Sequence, residues 1–249
     1  MKDTEKMDEP FTTRMKKATR SIHSISDALV QAKFAIALQD KQVWGEGLYS
    51  FYHIFSFLED ARDRLNMPDY NSLYVAEELL RASEIREDLF EYLGANWVLI
   101  PKTPAVENYL LHLENLEKDN PRLLMVYVYH LYLGLLSGGQ ILAKKRMMFD
   151  DGSLSTGVEK YIDRVAYFKH NDIGKLKKDL KAAMERIAEK MTPREQDEFI
   201  NESIHLFLMN NLVINSVPGQ DMVLKKFICK VSAVVIAVAG VAFAYTMHK

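Results

Sequence analysis

The sequence has only one cysteine, Cys229, among its 249 residues. A single cysteine excludes an internal disulfide framework and fits a reducing compartment. Neither sign of charge dominates, because 32 lysines and arginines stand against 34 aspartates and glutamates. With no basic domain and no zinc or glycine-loop motif, the chain is not expected to bind nucleic acid. Residues 1–10 are charged and lack an apolar core, so we expect a disordered N-terminus there rather than a signal peptide.

Long hydrophobic runs are also scarce, and one stands out. Residues 231–247 carry no charge, and with the apolar residues from 227 onward the segment approaches the ~20 residues that a membrane-spanning helix needs. A buried core helix is the alternative, but the segment has no polar face. Basic residues precede the run, at Lys225, Lys226 and Lys230. We therefore predict a transmembrane tail anchor over 227–247, a linker over 217–226, and the rest of the chain on the cytosolic side.

The remaining sequence is dominated by helical periodicity, without strand pairs or internal repeats. We expect an all-α fold with a single multi-helix domain over residues 11–216. The first helix is predicted to start at a threonine N-cap, Thr12 or Thr13, and the last at Thr192 and Pro193. The predicted helices span about 12–30, 43–64, 75–93 (with Gly94 as C-cap), 105–118, 121–146, 176–191 and 193–215. Residues 66–71 and 150–157 are predicted loops. The aromatic residues of the second helix are interpreted as core.

Glycines interrupt the strongest helical pattern, which lies at residues 127–140. Glycine costs roughly 1 kcal/mol against alanine inside a helix, so a bare backbone must be needed there. Leu131, Gly134, Leu135 and Gly138 fall on one helix face. That face would let a flat ligand lie against the backbone. A helix–helix contact through small residues, or a plain helix break, explains the pattern equally well at this level.

A histidine lies beside the apolar stripe of the first helix. Lys16, Arg20 and Asp27 emerge on the same side as His23, at spacings of seven, three and four residues. Such a cluster suits a ligand-binding histidine with an acid one turn away. It also suits a boundary histidine in a salt-bridged surface face, and the pattern alone leaves both interpretations open.

Six segments together resemble the haem oxygenases, and they are distributed over most of residues 11–216. The segments are Lys16–His23 (KKATRSIH), Phe51–Glu59 (FYHIFSFLE), Tyr129–Gly134 (YHLYLG), Leu136–Leu142 (LSGGQIL), Met191–Pro193 (MTP) and Phe207–Asn210 (FLMN). The LSGGQ string alone is unspecific, and its position after the first segment makes the joint match specific. The chain is most similar to the tail-anchored eukaryotic type, and to the insect branch that lacks a distal aspartate.

The resemblance implies a helical fold that clamps haem b, iron protoporphyrin IX, between a proximal and a distal helix. By position, His23 matches the iron ligand, and Asp27 would accept the other ring N–H and fix its tautomer. Gly134 and Gly138 match the distal glycines, whose backbone approaches the haem face during catalysis.

The resemblance also implies contacts for the two haem propionates and a wall for the pocket. Lys16, Tyr129, Lys177 and Lys181 match the propionate contacts, and Lys177 and Lys181 lie one helical turn apart. Lys181 replaces a family arginine and so loses its bidentate geometry. A solvated charged face is the alternative for these lysines. Phe168 and Phe207 match residues of the pocket wall, and ordinary core positions would explain them too.

Two distal positions depart from the family pattern. Leu131 replaces an arginine, and Leu135 replaces the aspartate that organises distal water. Leucine cannot hold water or relay protons, so we expect reduced regiospecificity. Backbone amides near Gly138 and Gly139, or His130 if it turned inward, are candidates to replace the aspartate.

The resemblance implies a biliverdin-producing haem oxygenase that uses O2, with electrons from NADPH through a cytochrome reductase, and releases CO and ferrous iron. It further implies biliverdin reductase as a partner, membrane lipid around the anchor, and a location on the cytosolic face of the endoplasmic reticulum. Lys144, Lys145 and Arg146 are candidates for a reductase-docking patch, with helix-end charge compensation as the alternative. The alternative function is a non-catalytic haem-binding protein, acting as buffer, carrier or sensor.

Overall fold

The computed structural model describes residues 9–37, 40–150, 163–168 and 172–219. Within these ranges the chain is helical and contains no strand, which confirms the predicted all-α domain. The helices are α1 (Phe11–Ala37), α2 (Lys41–Leu65), α3 (Pro68–Asn71), α4 (Ala82–Leu93), α5 (Pro104–Asp119), α6 (Leu124–Gly134), α7 (Gln140–Asp150), α8 (Ile173–Ala188) and α9 (Pro193–Ser216). Short 3-10 turns lie at Glu77–Leu79, Ala95–Leu99, Pro121–Leu123 and Arg164–Ala166, and a π-helical turn at Leu135–Gly139 joins α6 to α7.

The start of α1 differs from the prediction. The helix begins at Phe11, so neither Thr12 nor Thr13 is its N-cap, and it continues to Ala37 rather than ending near Val30. The Glu185 carboxylate of α8 accepts hydrogen bonds from the Phe11 and Thr12 amides at 2.8 and 2.9 Å. A distant carboxylate thus satisfies amide groups that a local threonine was expected to cap.

The start of α9 agrees with the prediction. Thr192 is its N-cap, Pro193 occupies the first turn, and Glu195 completes a reciprocal capping box. Two contacts show that α9 runs parallel to α1. Arg14 donates a hydrogen bond to Gln196 at 2.5 Å near the starts of the two helices, and the rings of His23 and Phe207 lie 5.2 Å apart further along both. This pairing places one face of α9 behind the histidine of α1.

The core is centred on α6, whose residues Leu124–Val128 are fully buried. Glu59 of α2 connects this helix to α4. Its carboxylate accepts the Tyr132 hydroxyl of α6 at 2.6 Å and the Arg81 amide ahead of α4 at 2.6 Å. These bonds help to explain why the predicted helix over 75–93 is instead a turn followed by α4, since the Arg81 amide is committed to Glu59. The end of that helix at Gly94, with φ of 74°, is confirmed.

The predicted loop at 66–71 contains the short helix α3. Residues 1–8, 151–162 and 220–249 lie outside the described residues, and so do most of the predicted disordered N-terminus, the polar loop, most of the linker and the whole anchor. No helix within the described ranges is both long and apolar enough to cross a bilayer.

Candidate active site

A cavity of about 970 Å³ lies between α1 and the segment formed by α6, the π-helical turn and α7. Its volume is at the upper end of the roughly 300–1,000 Å³ typical of small-molecule sites. Nine of the ten residues predicted for the site line this single cavity: Lys16, His23, Asp27, Tyr129, Gly134, Gly138, Lys177, Lys181 and Phe207. Residues up to 191 positions apart in sequence are therefore brought together by the fold, counting from Lys16 to Phe207.

His23 and Asp27 form the predicted pair. The Nδ1 atom of His23 lies 2.9 Å from Oδ2 of Asp27, one turn further along α1. Because a carboxylate accepts the Nδ1 proton, the neutral ring keeps its lone pair on Nε2, which is the nitrogen available to iron. The His23 side chain is 54% exposed to the cavity region and solvent. The ring of Phe207 contacts it edge to face at 5.2 Å and limits its rotation.

The glycines of the opposite wall behave differently from one another. A methyl group built on Gly134 or Gly138 would meet no atom within 4 Å, whereas one on Gly139 would lie 2.8 Å from Cδ1 of Leu135. Protein packing therefore accounts for Gly139 but leaves the space above the other two glycines open. A flat ligand such as haem fits that space, since a side chain at either position would occupy it. The π-helical turn at Leu135–Gly139 widens the helix there, as such turns often do at functional sites.

One edge of the cavity carries positive charge. Lys16 of α1 and Lys177 and Lys181 of α8 line this edge, together with the buried hydroxyl-bearing ring of Tyr129. Burial raises the pKa of Tyr129 to about 12, so its hydroxyl stays protonated and can donate a hydrogen bond near neutral pH. Three ammonium groups and one hydroxyl suit a ligand with two carboxylates, and haem carries two carboxylates in its propionate groups.

His130 is oriented by α9. Its Nε2 lies 2.9 Å from Oγ of Ser203, and that hydroxyl donates its own proton to the carbonyl of Phe199 at 2.7 Å. His130 must therefore donate from Nε2. Burial, followed by the charge of nearby His23, lowers the pKa of His130 to about 3 and keeps it neutral. Its ring contacts Phe207 at 5.3 Å, the same ring that contacts His23, so it belongs to the proximal side of the cavity.

The distal wall is apolar where the family pattern is polar. Leu131, which is buried, and Leu135 both line the cavity, so the two departures lie in the wall itself. Ser137 is the hydroxyl-bearing residue of the π-helical turn that lines the cavity. Two hydrogen bonds fix the ends of this segment: Tyr132 donates to Glu59 at 2.6 Å before it, and Gln140 donates to the carbonyl of Ala166 at 2.7 Å after it.

Sequence reasoning missed a cavity wall on α2. Trp44, Phe51 and Phe55 were interpreted as core, and they are packed in the core, but they also line the cavity. Their spacing with Leu48 places all four on one helix face, which could have suggested a wall as readily as a core. The indole N–H of Trp44 donates to Asp163 at 3.3 Å, which fixes the ring.

Two other expectations are corrected by position. Phe168 is buried under the guanidinium of Arg81, 4.4 Å from its ring centre, and is not among the cavity-lining residues. Arg146 is buried beside Tyr92, so it does not belong to an exposed basic patch, whereas Lys144 and Lys145 are exposed. Burial of the arginine removes one of the three charges expected for a docking surface.

The comparison with protein families identifies one match. The family described as Heme oxygenase matches residues 9–216. Among curated proteins, haem oxygenase 1 of Homo sapiens is 31% identical over 214 residues, covering 82% of this chain and 70% of the human protein. Haem oxygenase 1 of Rattus norvegicus is 32% identical over 216 residues with the same coverage.

Solved structures resemble the described fold over most of its length. Haem oxygenase 2 of Chlamydomonas reinhardtii, crystallised without haem, has a TM-score of 0.75 and 28% identity, covering 84% of this chain and 98% of that one. Haem oxygenase-1 of the cyanobacterium Synechocystis, crystallised with haem, has a TM-score of 0.77 and covers 91% of this chain and 100% of that one. At 21% identity, the second likeness is one of fold alone.

Proposed function

The chain belongs to the haem oxygenase family, and we propose that the cavity between α1 and the α6–α7 segment is where it binds and cleaves haem. The protein is an oxidoreductase that uses haem as both substrate and cofactor, with O2 and electrons from a reductase. Haem, when bound, supplies the iron that activates O2 and the macrocycle that is opened. The products are biliverdin, CO and ferrous iron. The convergence of nine of the ten predicted residues on one cavity carries this proposal.

On the proximal side, α1 provides the iron ligand. His23 would bind iron through Nε2, because Asp27 holds the Nδ1 proton. The carboxylate makes the imidazole a stronger electron-pair donor to iron and fixes the orientation of the ring. Phe207, packed between His23 and His130, keeps the ring from swinging away from the cavity.

At the cationic edge, four side chains would orient haem within its plane. Lys16, Lys177 and Lys181 would pair with the two propionates, and the Tyr129 hydroxyl would donate to one of them. Each lysine is a flexible point charge rather than a planar fork, so these contacts attract the carboxylates without fixing a single geometry. The cationic edge therefore contributes more to haem affinity than to fixing the rotation of the macrocycle within its plane.

On the distal side, the backbone replaces side chains as the contact surface. Gly134 and Gly138 leave room for the macrocycle, and the π-helical turn between Tyr132 and Gln140 is held at both ends. Leu131 and Leu135 offer no hydrogen bond with which to orient O2 or water in the cavity. We therefore expect a mixture of biliverdin isomers rather than a single one.

The alternative of a haem buffer, carrier or sensor rests on the two distal leucines alone. Their position in the cavity wall favours slow or unselective chemistry. Every feature needed for binding is common to both functions, so turnover separates them. Family membership favours the oxygenase.

The cellular setting extends the proposal. An NADPH-dependent cytochrome reductase would supply electrons, and a biliverdin reductase would take the product. Residues 227–247 would anchor the chain in the endoplasmic-reticulum membrane with residues 11–216 on the cytosolic face. Support comes from the uncharged run and its flanking lysines in the sequence.

A single-turnover assay tests the proposed function. The full chain is loaded with one equivalent of haem and supplied with reductase, NADPH and O2, while the Soret band is followed and products are separated by chromatography. The oxygenase predicts loss of the Soret band with several biliverdin isomers. A persistent haem spectrum without bile pigment would contradict it and establish the haem-binding alternative.

A further inference from the structure

The three most exposed large apolar side chains of the described residues belong to two segments that contact each other. Leu99 is 77% exposed, Val98 is 63% exposed and Leu212 is 62% exposed. Their two segments meet where the hydroxyl of Thr103 contacts that of Ser216 at 2.8 Å. Leu212 lies one helical turn, ~6 Å, before Ser216, and Leu99 is four residues and so at most ~15 Å from Thr103. We call Val98, Leu99 and Leu212 the Leu99 patch.

The exposure of Val98 and Leu99 is imposed by their neighbours. The preceding residue, Trp97, is buried against the rings of Tyr49 and Tyr52 at 6.2 and 5.2 Å. The hydroxyl of Tyr49 donates to the carbonyl of Ile100 on the other side. The 3-10 turn is thus fixed at both ends, and it holds two aliphatic side chains in solvent where a turn of polar residues would fold equally well. Two adjacent exposed aliphatic side chains, with a third on the neighbouring helix, form a candidate interaction site.

The location of the patch indicates what it contacts. The end of α9 lies beside it, Val217 packs on Val43, and the described chain reaches Gly219. Seven residues, 220–226, separate Gly219 from the start of the apolar segment at Phe227. A chain of that length spans at most roughly 28 Å fully extended and on average about 16 Å. Any bilayer that holds the segment from Phe227 onward therefore lies within roughly 28 Å of Gly219, which is three residues after Ser216.

Among the charged residues near the patch and the apolar segment, the lysines suit a lipid surface. Lys102 is exposed three residues from Leu99, and Lys225, Lys226 and Lys230 flank the apolar segment in the sequence. Lysines beside apolar side chains are attracted to the anionic cytoplasmic leaflet, at about 1 kcal/mol per cation near the surface. Apolar side chains inserted among the headgroups add to that attraction.

We propose that the Leu99 patch inserts into the headgroup region of the membrane that holds the anchor, so that the helical domain has a fixed orientation on the bilayer. This inference rests on the proposed anchor at 227–247. The binding partner is membrane lipid. The insertion of three aliphatic residues is too weak to bind a membrane alone, and the anchor makes it effective by holding the patch at the surface.

The orientation has a consequence for the active site. Trp44 and Ile214 line the cavity and pack together two residues before Ser216. Lys16 and Lys181 line it too, and they lie near the contacts that join the start of α1 to Gln196 and Glu185. Because α1 and α9 run parallel, the lysine end lies near their starts, about 25 Å along α9 from Ser216. The patch would therefore direct the apolar end of the cavity toward lipid and the cationic edge toward the aqueous phase, where a reductase has access.

The test uses the full haem-loaded chain in vesicles of neutral and anionic phospholipid, kept as the diamagnetic ferrous CO complex. After Cys229→Ala, single nitroxide labels are placed at Leu99→Cys and Leu212→Cys, with Asp119→Cys as control. Asp119 is exposed at the far end of α5, about 24 Å from Thr103. Flotation of the vesicles is measured first, and then the accessibility of each label to O2, which dissolves in lipid, and to a nickel chelate, which does not.

The proposal predicts that the protein floats and that both patch labels are severalfold more accessible to O2 than to the chelate, relative to the control. Floating protein with patch labels as open to the chelate as the control would overturn it and leave the anchor intact. Protein that fails to float would overturn the anchor itself and this inference with it. Protection that disappears when the protein is diluted in excess lipid would identify a second copy as the occupant, and would also overturn the proposal.

A pair of charge variants provides a matched comparison. Leu99→Glu should move the Leu212 label toward water, because a carboxylate in the patch opposes insertion near anionic lipid. Leu111→Glu introduces the same charge at another exposed leucine, two turns into α5, and should leave the label unchanged. Equal effects of the two variants would contradict a specific lipid contact at the patch.

Discussion

The proximal and distal walls of the cavity are built in opposite ways. The proximal wall is defined by side chains with named partners: His23 bonded to Asp27, His130 bonded to Ser203, and Phe207 packed between the two rings. The distal wall is defined by what the backbone leaves open, at Gly134 and Gly138. The contrast indicates that affinity for haem is set mainly by α1, α8 and α9, and that the course of the reaction is set by the α6–α7 segment.

The largest effect is expected from removing the proximal ligand. His23→Ala should lower haem affinity by about 100-fold or more, since even residues that only support a metal ligand contribute about 10- to 100-fold. Haem titration followed at the Soret band measures this. Because His23 is half exposed, added imidazole should enter the vacated space and restore the wild-type spectrum. Retention of wild-type affinity and spectrum in the variant would show that His23 does not bind iron.

A change of the distal wall should alter the products rather than the binding. Leu135→Asp places a carboxylate in the cavity wall, where it can order water beside the haem face. We expect haem affinity to change less than tenfold, roughly, while one biliverdin isomer becomes dominant in single-turnover products. Leu111→Asp, at an exposed leucine of α5 that does not line the cavity, is the matched control for added charge. An unchanged isomer mixture in Leu135→Asp would show that the leucine does not set the selectivity.

Filling the space above a distal glycine should have opposite effects on haem affinity and on the free energy of unfolding. Gly138→Ala meets no protein atom within 4 Å, so the alanine should raise the free energy of unfolding by about 0.5–1 kcal/mol through helix propensity. Haem affinity should fall severalfold, since the methyl group occupies ligand space. Denaturant unfolding and haem titration measure the two effects.

Gly139→Ala is the control for that experiment. Its methyl group would lie 2.8 Å from Leu135, so the stability gain should be smaller or reversed. If Gly138→Ala bound haem as tightly as the wild type, the glycine would have no role in admitting the ligand.

The smallest effect concerns His130 and pH. An unfolded histidine titrates near ~6.5, whereas in the folded chain the pKa of His130 is lowered to about 3. Below ~6.5 the unfolded chain therefore binds a proton that the folded chain does not, so stability falls with pH toward 3. His130 should account for about 2 kcal/mol lost between pH 7 and 5.

Urea unfolding of wild type and His130→Gln at both pH values isolates this contribution. Glutamine keeps a donor for Ser203 but does not titrate, so the variant should lose about 2 kcal/mol less than the wild type between the two pH values. Equal losses in both proteins would show that His130 is not held neutral by its environment. Other buried histidines, such as His53 with a pKa lowered to about 4, contribute equally to both proteins and cancel in the comparison.

The proximal wall could be predicted from sequence further than the rest of the molecule. His23 and Asp27 are four residues apart on one helix, so their contact follows from helical geometry. The capping of α9 by Thr192 and Glu195 is local in the same way. The position of Lys177 and Lys181 in the same cavity could be predicted only from the family resemblance, because no local sequence pattern links α8 to α1.

The misses share a physical cause, which is contact between distant segments. Glu185 caps α1 from more than 170 residues away, so the threonines were wrongly chosen. Glu59 accepts a hydrogen bond from the Arg81 amide and thereby shortens the helix predicted over 75–93. The aromatic face of α2 was correctly assigned to the core but its second role as cavity wall was missed, because a hydrophobic stripe has the same periodicity in both cases.

A crystal structure of the full chain with haem bound tests the central claim most directly. The account predicts iron bonded to Nε2 of His23, one ring face lying against Gly134 and Gly138, and propionates at Lys16, Lys177 and Lys181. Iron bonded to another side chain, such as His130, or haem bound outside the cavity between α1 and the α6–α7 segment, would contradict it.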